Sequence, residues 1–326
     1  MSRALDPGIK QALCDANHAA VFTEIASVLN LPIVLEIELL GYSHYANDAP
    51  SFMRDGNAIA IPKLRLVQAF IQARNIFVAY TRGDQVVTEK PALEATAVML
   101  LFDPEHLTAA NIRKRLVSKD DATLIAREKL FVDSLLTSRL YRHSKSPNLW
   151  SHRRWLMKRM RKHGLVADPV EEFRNVILIS AERHARNYYA WNHARFLIEL
   201  VEPGSVSWSC IQAQMVKWCR CHHDDVSGWM FLALLLERWP ARANSVLADV
   251  LELTESFRWR NESVWYFLRN VVAGPQRLSF DSTLQVVRGE ADVDSKVLDR
   301  ASSWIQEYPT RQTSCGAEND GTKRQS

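Results

Sequence analysis

The sequence is poor in the residues that make tight turns. Only 11 glycines and 12 prolines occur among its 326 residues, and no stretch alternates between apolar and polar residues for long enough to predict a strand. This scarcity argues against a turn-rich β-sandwich and favours helices. Because 47% of the residues are hydrophobic, a chain of this length can bury a sizeable core, in one or two domains or in a repeat array.

Three further absences bear on where the protein works. The five cysteines have no disulfide-framework spacing, so a reducing compartment is expected. The longest apolar run, residues 229–236, is too short to cross a bilayer, and the N-terminus lacks the basic-then-apolar layout of a secretory signal peptide. We therefore expect a cytoplasmic protein that is not integral to a membrane. The net charge of +4 is small and does not by itself suggest nucleic-acid binding.

The common catalytic and metal-binding motifs are also missing. The chain has no Gly-rich phosphate loop, no G-x-S-x-G nucleophile elbow and no H-E-x-x-H zinc helix. The most metal-like stretch is CRCHHDD (219–225), with Cys210 upstream. Structural zinc sites normally use two separated ligand pairs, and no second pair follows. We interpret the stretch as buried thiols in one helix and a His-Asp cap of the next, and we expect no metal on this chain.

A repeat begins near residue 91, where amphipathic helices start to alternate with short polar loops. One tryptophan falls at the equivalent place in the second helix of four successive pairs: Trp150, Trp191, Trp229 and Trp265. Ala110 stands at that place in a first pair, and the intervals are 40, 41, 38 and 36 residues. This period predicts a solenoid of helical hairpins, in which a large aromatic fills each junction. The fold expected for the repeats is a right-handed superhelix of about five hairpins.

The pattern divides the chain into three parts. Residues 1–90 hold two helical stretches, at 8–30 and 62–80, around a loop-like segment, and have no assigned role. Residues 91–308 hold the repeats. Residues 309–326 have almost no large apolar residue, so a disordered tail is expected. The predicted fold is all-α.

The repeated unit resembles the Asn-Tyr-x-x-Trp-x-x-Arg repeat of protein prenyltransferase alpha subunits. Three of the five units carry the resemblance: NLWSHRRWLM, NYYAWNHARFLI and NESVWYFLRNVV. The other two are eroded, since Ala110 replaces the aromatic in the first and the fourth keeps only Trp229. Such erosion, together with a long non-repeat N-terminal part, is more similar to the alpha-subunit repeat-containing proteins than to a conventional farnesyl- or geranylgeranyltransferase alpha chain.

The resemblance implies an alpha-type subunit of a heterodimeric protein prenyltransferase, inactive alone. A beta subunit would hold the catalytic zinc and the lipid pocket. The pair would transfer an isoprenoid, geranylgeranyl rather than farnesyl, from its diphosphate to a cysteine-containing protein substrate. In the family register Lys145 and Tyr188 are catalytic, the first neutralising the leaving diphosphate and the second donating a hydrogen bond to it. Asn187 and Tyr189 complete the expected diphosphate contacts, Tyr189 replacing a histidine of the family.

The remaining motif residues are interpreted as structural or interface residues of the repeats: Trp150, His152, Arg153, Arg154, Trp191, His193, Trp229, Asn261, Trp265 and Arg269. An arginine three residues after a helical tryptophan can reach a carboxylate or carbonyls of a neighbouring hairpin. The two histidines are interpreted as hydrogen-bonded junction residues, because no carboxylate or nucleophile recurs beside them.

Two alternatives remain open. A non-catalytic helical-repeat scaffold for protein–protein interaction would explain the erosion at Ala110, at Ala194 and in the fourth repeat, and the replacement at Tyr189. Retention of Lys145 and of the pair Asn187–Tyr188 favours the enzyme subunit, because a scaffold needs none of them. The basic helix at 152–164 could bind nucleic acid, but no second basic element accompanies it, so docking to an acidic partner protein is favoured and no nucleic-acid partner is expected.

Overall fold

The structure, a computed structural model, describes most of the chain. The described residues are 8, 11, 13, 17–41, 50–84, 86–117, 121–165, 167–272, 281–289 and 295–307. The predicted tail lies outside them. The chain divides into two compact units, Met1–Ile211 and Gln212–Ser326, and the predicted boundaries near 90 and 308 stay predictions. The fold is all-α apart from one small sheet.

The N-terminal part combines two helices with that sheet. The elements are α1 (His18–Leu29), β1 (Glu36–Leu40), β2 (Met53–Asp55), β3 (Ala58–Pro62) and α2 (Lys63–Thr81). β3 lies in the middle of the sheet, parallel to β1 and antiparallel to β2. The sequence pattern predicted the two helices but not the strands, because strands of three to five residues are too short for alternation to stand out.

The rest of the first unit consists of paired helices. They are α3 (Glu89–Phe102), α4 (Leu107–Val117), α5 (Ala122–Leu136), α6 (Tyr141–Ser144), α7 (Pro147–Lys162), α8 (Pro169–Glu172), a π-helical segment (Phe173–Leu178), α9 (Ile179–Arg183), α10 (Tyr188–Ile198) and α11 (Val206–Cys221), which runs across the boundary into the second unit. The predicted hairpins are therefore present: α3 with α4, α5 with α7, and the α8–α9 segment with α10.

The second unit continues in the same way. It holds α12 (Val226–Arg238), a short 3-10 helix (Pro240–Arg242), α13 (Ala243–Ser256), α14 (Glu262–Val272), α15 (Asp281–Arg288) and α16 (Lys296–Glu307). α12 packs on α14, and α14 packs on α16. Among the helices described here, none has the combination of length and apolar content that a membrane crossing requires.

The repeat tryptophans are core residues, as predicted. Trp150 is 4% exposed, and Trp191, Trp229 and Trp265 are 0% exposed. Side-chain caps start the helices that carry the first three: Ser146 caps α7, Asn187 caps α10 and Asp225 caps α12. These caps are short polar side chains that accept hydrogen bonds from otherwise unpaired backbone N–H groups. The predicted cap at Asp225 is confirmed.

Candidate functional site

Consecutive hairpins share a carbonyl oxygen six residues before the repeat tryptophan. In the second hairpin the indole Nε1 of Trp150 donates to the carbonyl oxygen of Ser144 over 2.7 Å. Asn187, from the third hairpin, donates its Nδ2 to the same oxygen over 2.9 Å. The loop carbonyl is thus satisfied by one N–H from each of two neighbours, which sets the register between them.

The same arrangement recurs elsewhere in the chain. In the second unit the indole Nε1 of Trp229 donates to the carbonyl oxygen of His223 over 3.1 Å, and Asn261 Nδ2 donates to that oxygen as well. In the first hairpin, which lacks the tryptophan, Asn148 Nδ2 donates over 2.8 Å to the equivalent carbonyl of Pro104. The hydrogen bond from the next hairpin therefore survives where the sequence motif is eroded, although the indole donor is absent.

A second repeated feature is a buried trio of an arginine, a glutamate and a histidine. Arg153, three residues after Trp150, is 0% exposed. Its Nη2 pairs with Glu172 Oε2 on the first helix of the next hairpin, and its Nη1 lies 2.7 Å from His193 Nε2. Its Nε donates over 2.7 Å to Asp133 Oδ1, on the first helix of its own hairpin.

The trio one hairpin earlier is built from equivalent positions. Arg113 donates from Nε to Glu128 Oε1 over 2.8 Å and from Nη2 to Glu128 Oε2 over 2.5 Å. His152 Nε2 lies 3.2 Å from Glu128 Oε1. Each trio therefore takes its arginine from one hairpin, and its glutamate and histidine from the next. Both trios are buried.

Burial and charge set the protonation states of these groups. Burial alone would raise the pKa of Glu128, but Arg113 and His152 outweigh it and lower the pKa. Burial lowers the pKa of His152 to about 4. Burial, reinforced by Arg153, also holds the pKa of His193 well below its usual value. The carboxylate is therefore ionised and both imidazoles are neutral near pH 7.

The interpretation of the two histidines needs one correction. No carboxylate recurs beside them in the sequence, yet Glu128 faces His152 in the fold. Since Glu128 comes from another helix, nothing near the histidine in sequence signals it. Sequence reasoning missed Lys129, whose Nζ lies 2.6 Å from Asp133 Oδ2 and 2.8 Å from Glu172 Oε1. It also missed the three carboxylates of these junctions, Glu128, Asp133 and Glu172. Their signal, acidic residues on the inner faces of first helices, is visible only once the helices are paired.

The other two motif arginines contact neighbours of a simpler kind. Arg154 donates from Nη2 to the carbonyl oxygen of Asn192 over 3.3 Å, and its guanidinium carbon lies 5.0 Å from the ring centre of Phe196. Arg269 pairs with Glu262 of its own helix over 2.6 Å. Arg154 therefore reaches a carbonyl of the neighbouring hairpin, as expected from the sequence, whereas the carboxylate that pairs with Arg269 lies on the same helix and not on a neighbouring hairpin.

Lys145 lies in the loop between α6 and α7. Its Nζ donates to the carbonyl oxygen of Ala185 over 2.9 Å and lies 3.5 Å from the hydroxyl oxygen of Tyr141. The ammonium also lies 4.6 Å from the centre of the Tyr141 ring, which is exposed. Ala185 precedes Trp191 by six residues, so its carbonyl is the third-hairpin equivalent of the shared oxygens. Lys145 is partly exposed and bridges two hairpins.

The other predicted diphosphate contacts differ in exposure. Asn187 is 0% exposed, and its amide also bonds Ser180 Oγ over 3.0 Å. Tyr188 is 64% exposed at the first turn of α10, while Tyr189 packs partly buried against the core. Lys145 and Tyr188 thus present polar atoms towards solvent, whereas Asn187 is enclosed. The diphosphate role of all four residues stays a prediction.

The cysteine-rich stretch combines one buried thiol with exposed ones. Cys219 is buried, and burial together with Asp225 raises the pKa of its thiol well above the usual value. Cys221 and Cys210 are exposed, so the expectation of buried thiols is wrong for Cys221, because residues two apart on a helix face different sides. Across the described ranges, no three His, Cys, Asp or Glu side chains come together in a way that could hold a metal ion.

Comparison with known proteins agrees with the motif. Residues 133–160 match the protein prenyltransferase alpha subunit repeat, and residues 149–257 match the ECM9 middle domain. The chain is similar to protein prenyltransferase alpha subunit repeat-containing protein 1 of Danio rerio, at 25% identity over 50% of this chain and 42% of the relative. For the Homo sapiens protein of the same name, identity is 26% over 50% of this chain and 44% of the relative.

A second kind of relative comes from yeast. Protein ECM9 of Saccharomyces cerevisiae is 24% identical over 61% of this chain and 54% of the relative. The chain thus spans about half the length of the curated relatives it matches. The resemblance inferred from the repeated motif is confirmed: the chain is a helical-repeat protein related to the protein prenyltransferase alpha subunit repeat-containing proteins.

Proposed function

We propose that this chain is the alpha-type subunit of a heterodimeric protein prenyltransferase. The observation that carries the proposal is the position of Lys145 and Tyr188. Lys145 immediately precedes the N-cap of α7, and Tyr188 is the first residue of α10. The two helices pack against each other as the second helices of adjacent hairpins. One edge of the first unit therefore offers a cation and a phenol to a ligand, beside two helix N-termini whose partial positive charge favours anions.

Lys145 and Tyr188 would act on the leaving group of the transfer. The ammonium would neutralise oxygens of the isoprenoid diphosphate, and the phenol would donate a hydrogen bond to it. Lys145 would exchange its bond to Ala185 for one to an ionised oxygen, and a charge-assisted bond of that kind is the stronger of the two. Zinc in the beta subunit would lower the pKa of the substrate thiol.

The buried trios would give the subunit its rigidity. Arg113 and Arg153 each tie one hairpin to the next through a glutamate with low solvent exposure. A row of hairpins fastened in this way changes shape little, so it suits a platform that holds a partner and its ligand in fixed geometry. Protein-substrate recognition along the platform belongs to the same proposal.

A non-catalytic scaffold is the second candidate, and one observation favours it. Three of the four predicted diphosphate contacts already have structural partners. Asn187 is fully hydrogen-bonded, Tyr189 packs on the core, and Lys145 donates to the carbonyl oxygen of Ala185. A protein that kept the repeat fold alone would retain these contacts for stability. The two candidates differ in whether a beta subunit binds and whether lipid is transferred.

Co-expression with each prenyltransferase beta subunit of the same organism tests the proposal, followed by size-exclusion chromatography at moderate salt. A stoichiometric complex with one beta subunit supports the heterodimer, and lipid-transfer assays with farnesyl and geranylgeranyl diphosphate then identify the donor. If the chain elutes alone in every case, the enzyme-subunit proposal fails. A stable complex that transfers neither lipid would favour the scaffold.

A further inference from the structure

A cavity of about 330 Å³ opens between α1, α3, α4 and α5, elements that carry none of the predicted diphosphate contacts. This volume lies at the lower end of the range of small-molecule sites, roughly 300–1,000 Å³. Its walls are apolar and come from all four helices or the turn after α1: Leu29, Leu31, Leu93, Leu116, Leu124 and Phe131. The cavity lies within the first unit.

The floor of the cavity is polar but already neutralised. It contains Arg113 and Glu128, both buried and joined by two hydrogen bonds. Arg113 Nη1 also donates to the carbonyl oxygen of Leu93 over 2.6 Å and to Thr96 Oγ1 over 3.2 Å. With its charge paired and these donors occupied, Arg113 does not attract an anion to the bottom of the cavity.

The mouth of the cavity is different. Lys90 and Arg127 line it with exposed side chains, and within the described part of the chain neither has a hydrogen-bond or ion-pair partner. Glu89 is the acidic residue of the mouth, and it lies in the first turn of α3, where the helix dipole favours a negative charge. Two cations therefore stand against one carboxylate around an apolar opening, which gives the mouth a positive character.

We propose that this cavity binds a small amphipathic anion. The apolar body of the ligand enters between the leucines, and a single anionic group such as a carboxylate or sulfonate stays at the mouth, between Lys90 and Arg127. Leaving the anionic group at the mouth avoids the cost of burying it against Glu128. The site is independent of Lys145 and Tyr188, so it can be tested on the chain alone.

The test is a fluorescence titration of the full chain with anilinonaphthalene sulfonate, an aromatic body with one anionic group. Phenylnaphthylamine, which has the same body without the sulfonate, serves as the uncharged comparison. We expect saturable binding of one sulfonate per chain, with the uncharged probe about tenfold weaker. The double variant Lys90→Gln/Arg127→Gln should weaken sulfonate binding about tenfold and leave the uncharged probe unchanged, because only charge-assisted bonds are lost.

The controls separate the cavity from unspecific binding. The double variant Arg161→Gln/Lys162→Gln removes two exposed cations from α7 and should leave both affinities unchanged. Leu124→Trp, at a partly exposed wall position, should fill the cavity and abolish binding of both probes. Equal affinity for the two probes, or unchanged sulfonate affinity in Lys90→Gln/Arg127→Gln, would show that the mouth does not recognise an anionic group. Unchanged binding in Leu124→Trp overturns the cavity as the site.

Discussion

Trp150 and Asn187 donate to one oxygen, the carbonyl of Ser144, over 2.7 and 2.9 Å. The first belongs to the second hairpin and the second to the third, so one backbone acceptor holds two repeats together. The same side chain of Asn187 caps α10 by accepting from the backbone N–H of Ala190. Asn187 therefore caps a helix and joins two repeats through one buried amide side chain.

Removing that amide should cost more stability than an ordinary asparagine does. We expect Asn187→Ala to lower the free energy of unfolding by about 2–4 kcal/mol, because it deletes a cap and leaves the buried Ser144 carbonyl one donor short. Urea unfolding followed by circular dichroism measures the change. Asn175→Ala is the matched control, since Asn175 is exposed and its amide donates to Glu171, four residues earlier in the same hairpin. Equal losses for the two variants would contradict the role of the shared carbonyl.

The buried trio predicts that substitution of Arg153 strongly lowers the free energy of unfolding. Among the residues that the structure describes, Arg153→Ala leaves Asp133 and Glu172 buried with Lys129 as their one remaining cation. Breaking a buried pair in this way costs about 3–5 kcal/mol. Arg153→Lys should recover only part of the loss, because an ammonium cannot make the separate bonds of a guanidinium. Chemical unfolding measures both. The control Arg161→Ala, on the exposed face of the same helix, should change stability by about 0.5 kcal/mol or less; an effect at Arg153 as small as this would count against the trio.

The buried histidines predict a loss of stability in mild acid. His143 and His152 each have a pKa lowered from 6.5 to about 4, with burial as the main cause. Between these two values the unfolded chain binds protons that the folded chain does not, so the free energy of unfolding falls as pH falls. The slope is up to about 1.4 kcal/mol per pH unit for each histidine. Above pH 6.5 both histidines are neutral in the folded and in the unfolded chain, so they no longer make the free energy of unfolding depend on pH.

Single substitutions isolate that slope. His143→Gln and His152→Gln should each make the dependence between pH 4.5 and pH 6.5 shallower by up to one proton's worth, and the double variant by up to two. Urea unfolding in a pH series measures this directly. Variants whose slopes equal that of the unaltered chain would show that these imidazoles titrate alike in the folded and unfolded states.

Gly228 in α12 has no room for a side chain. A Cβ there would overlap Cζ3 of the Trp218 indole. Glycine to alanine normally stabilises a helix interior by about 1 kcal/mol, but here we expect Gly228→Ala to destabilise the protein by about 1–3 kcal/mol because the indole must move. Thermal or urea unfolding gives the sign. In a Trp218→Leu background the same substitution should cost less, and a stabilising Gly228→Ala would refute the contact.

Lys145 provides the sharpest test of the proposed function. In an active heterodimer, Lys145→Gln should slow lipid transfer by about tenfold or more, since it removes one charge that stabilises the leaving diphosphate. Subunit assembly, followed by size-exclusion chromatography, should stay intact. Lys158→Gln, an exposed lysine on α7, should alter neither quantity. An unchanged transfer rate in Lys145→Gln would remove Lys145 from the mechanism.

Much of the fold could be predicted because its signals are local. The helical periodicity and the cap at Asp225 both act within a few residues of chain. The spacing of the tryptophans then predicted which helices occupy equivalent places. The short strands could not be predicted, because a strand of five residues or fewer shows too little alternation between apolar and polar residues.

The candidate site could be predicted only in part. The family register picked out Lys145, which immediately precedes the N-cap of α7, and Tyr188, which begins α10 on the adjacent hairpin. The register did not predict that Lys145 donates a hydrogen bond to the carbonyl oxygen of Ala185, or that the amide of Asn187 is buried. Such contacts depend on how closely two loops approach, which no residue near them in the chain specifies.

The residues of the chain alone are enough to establish a helical repeat with buried tryptophans, since amphipathic periodicity and capping are properties of neighbouring residues. The partners of Arg153, in contrast, can be identified only from the tertiary structure. Asp133, Glu172 and His193 lie 20, 19 and 40 residues from it in sequence, on three other helices. A carboxylate looks the same in sequence whether it faces water or a buried guanidinium. Which of the two it meets is a consequence of helix packing, because only packing removes the water.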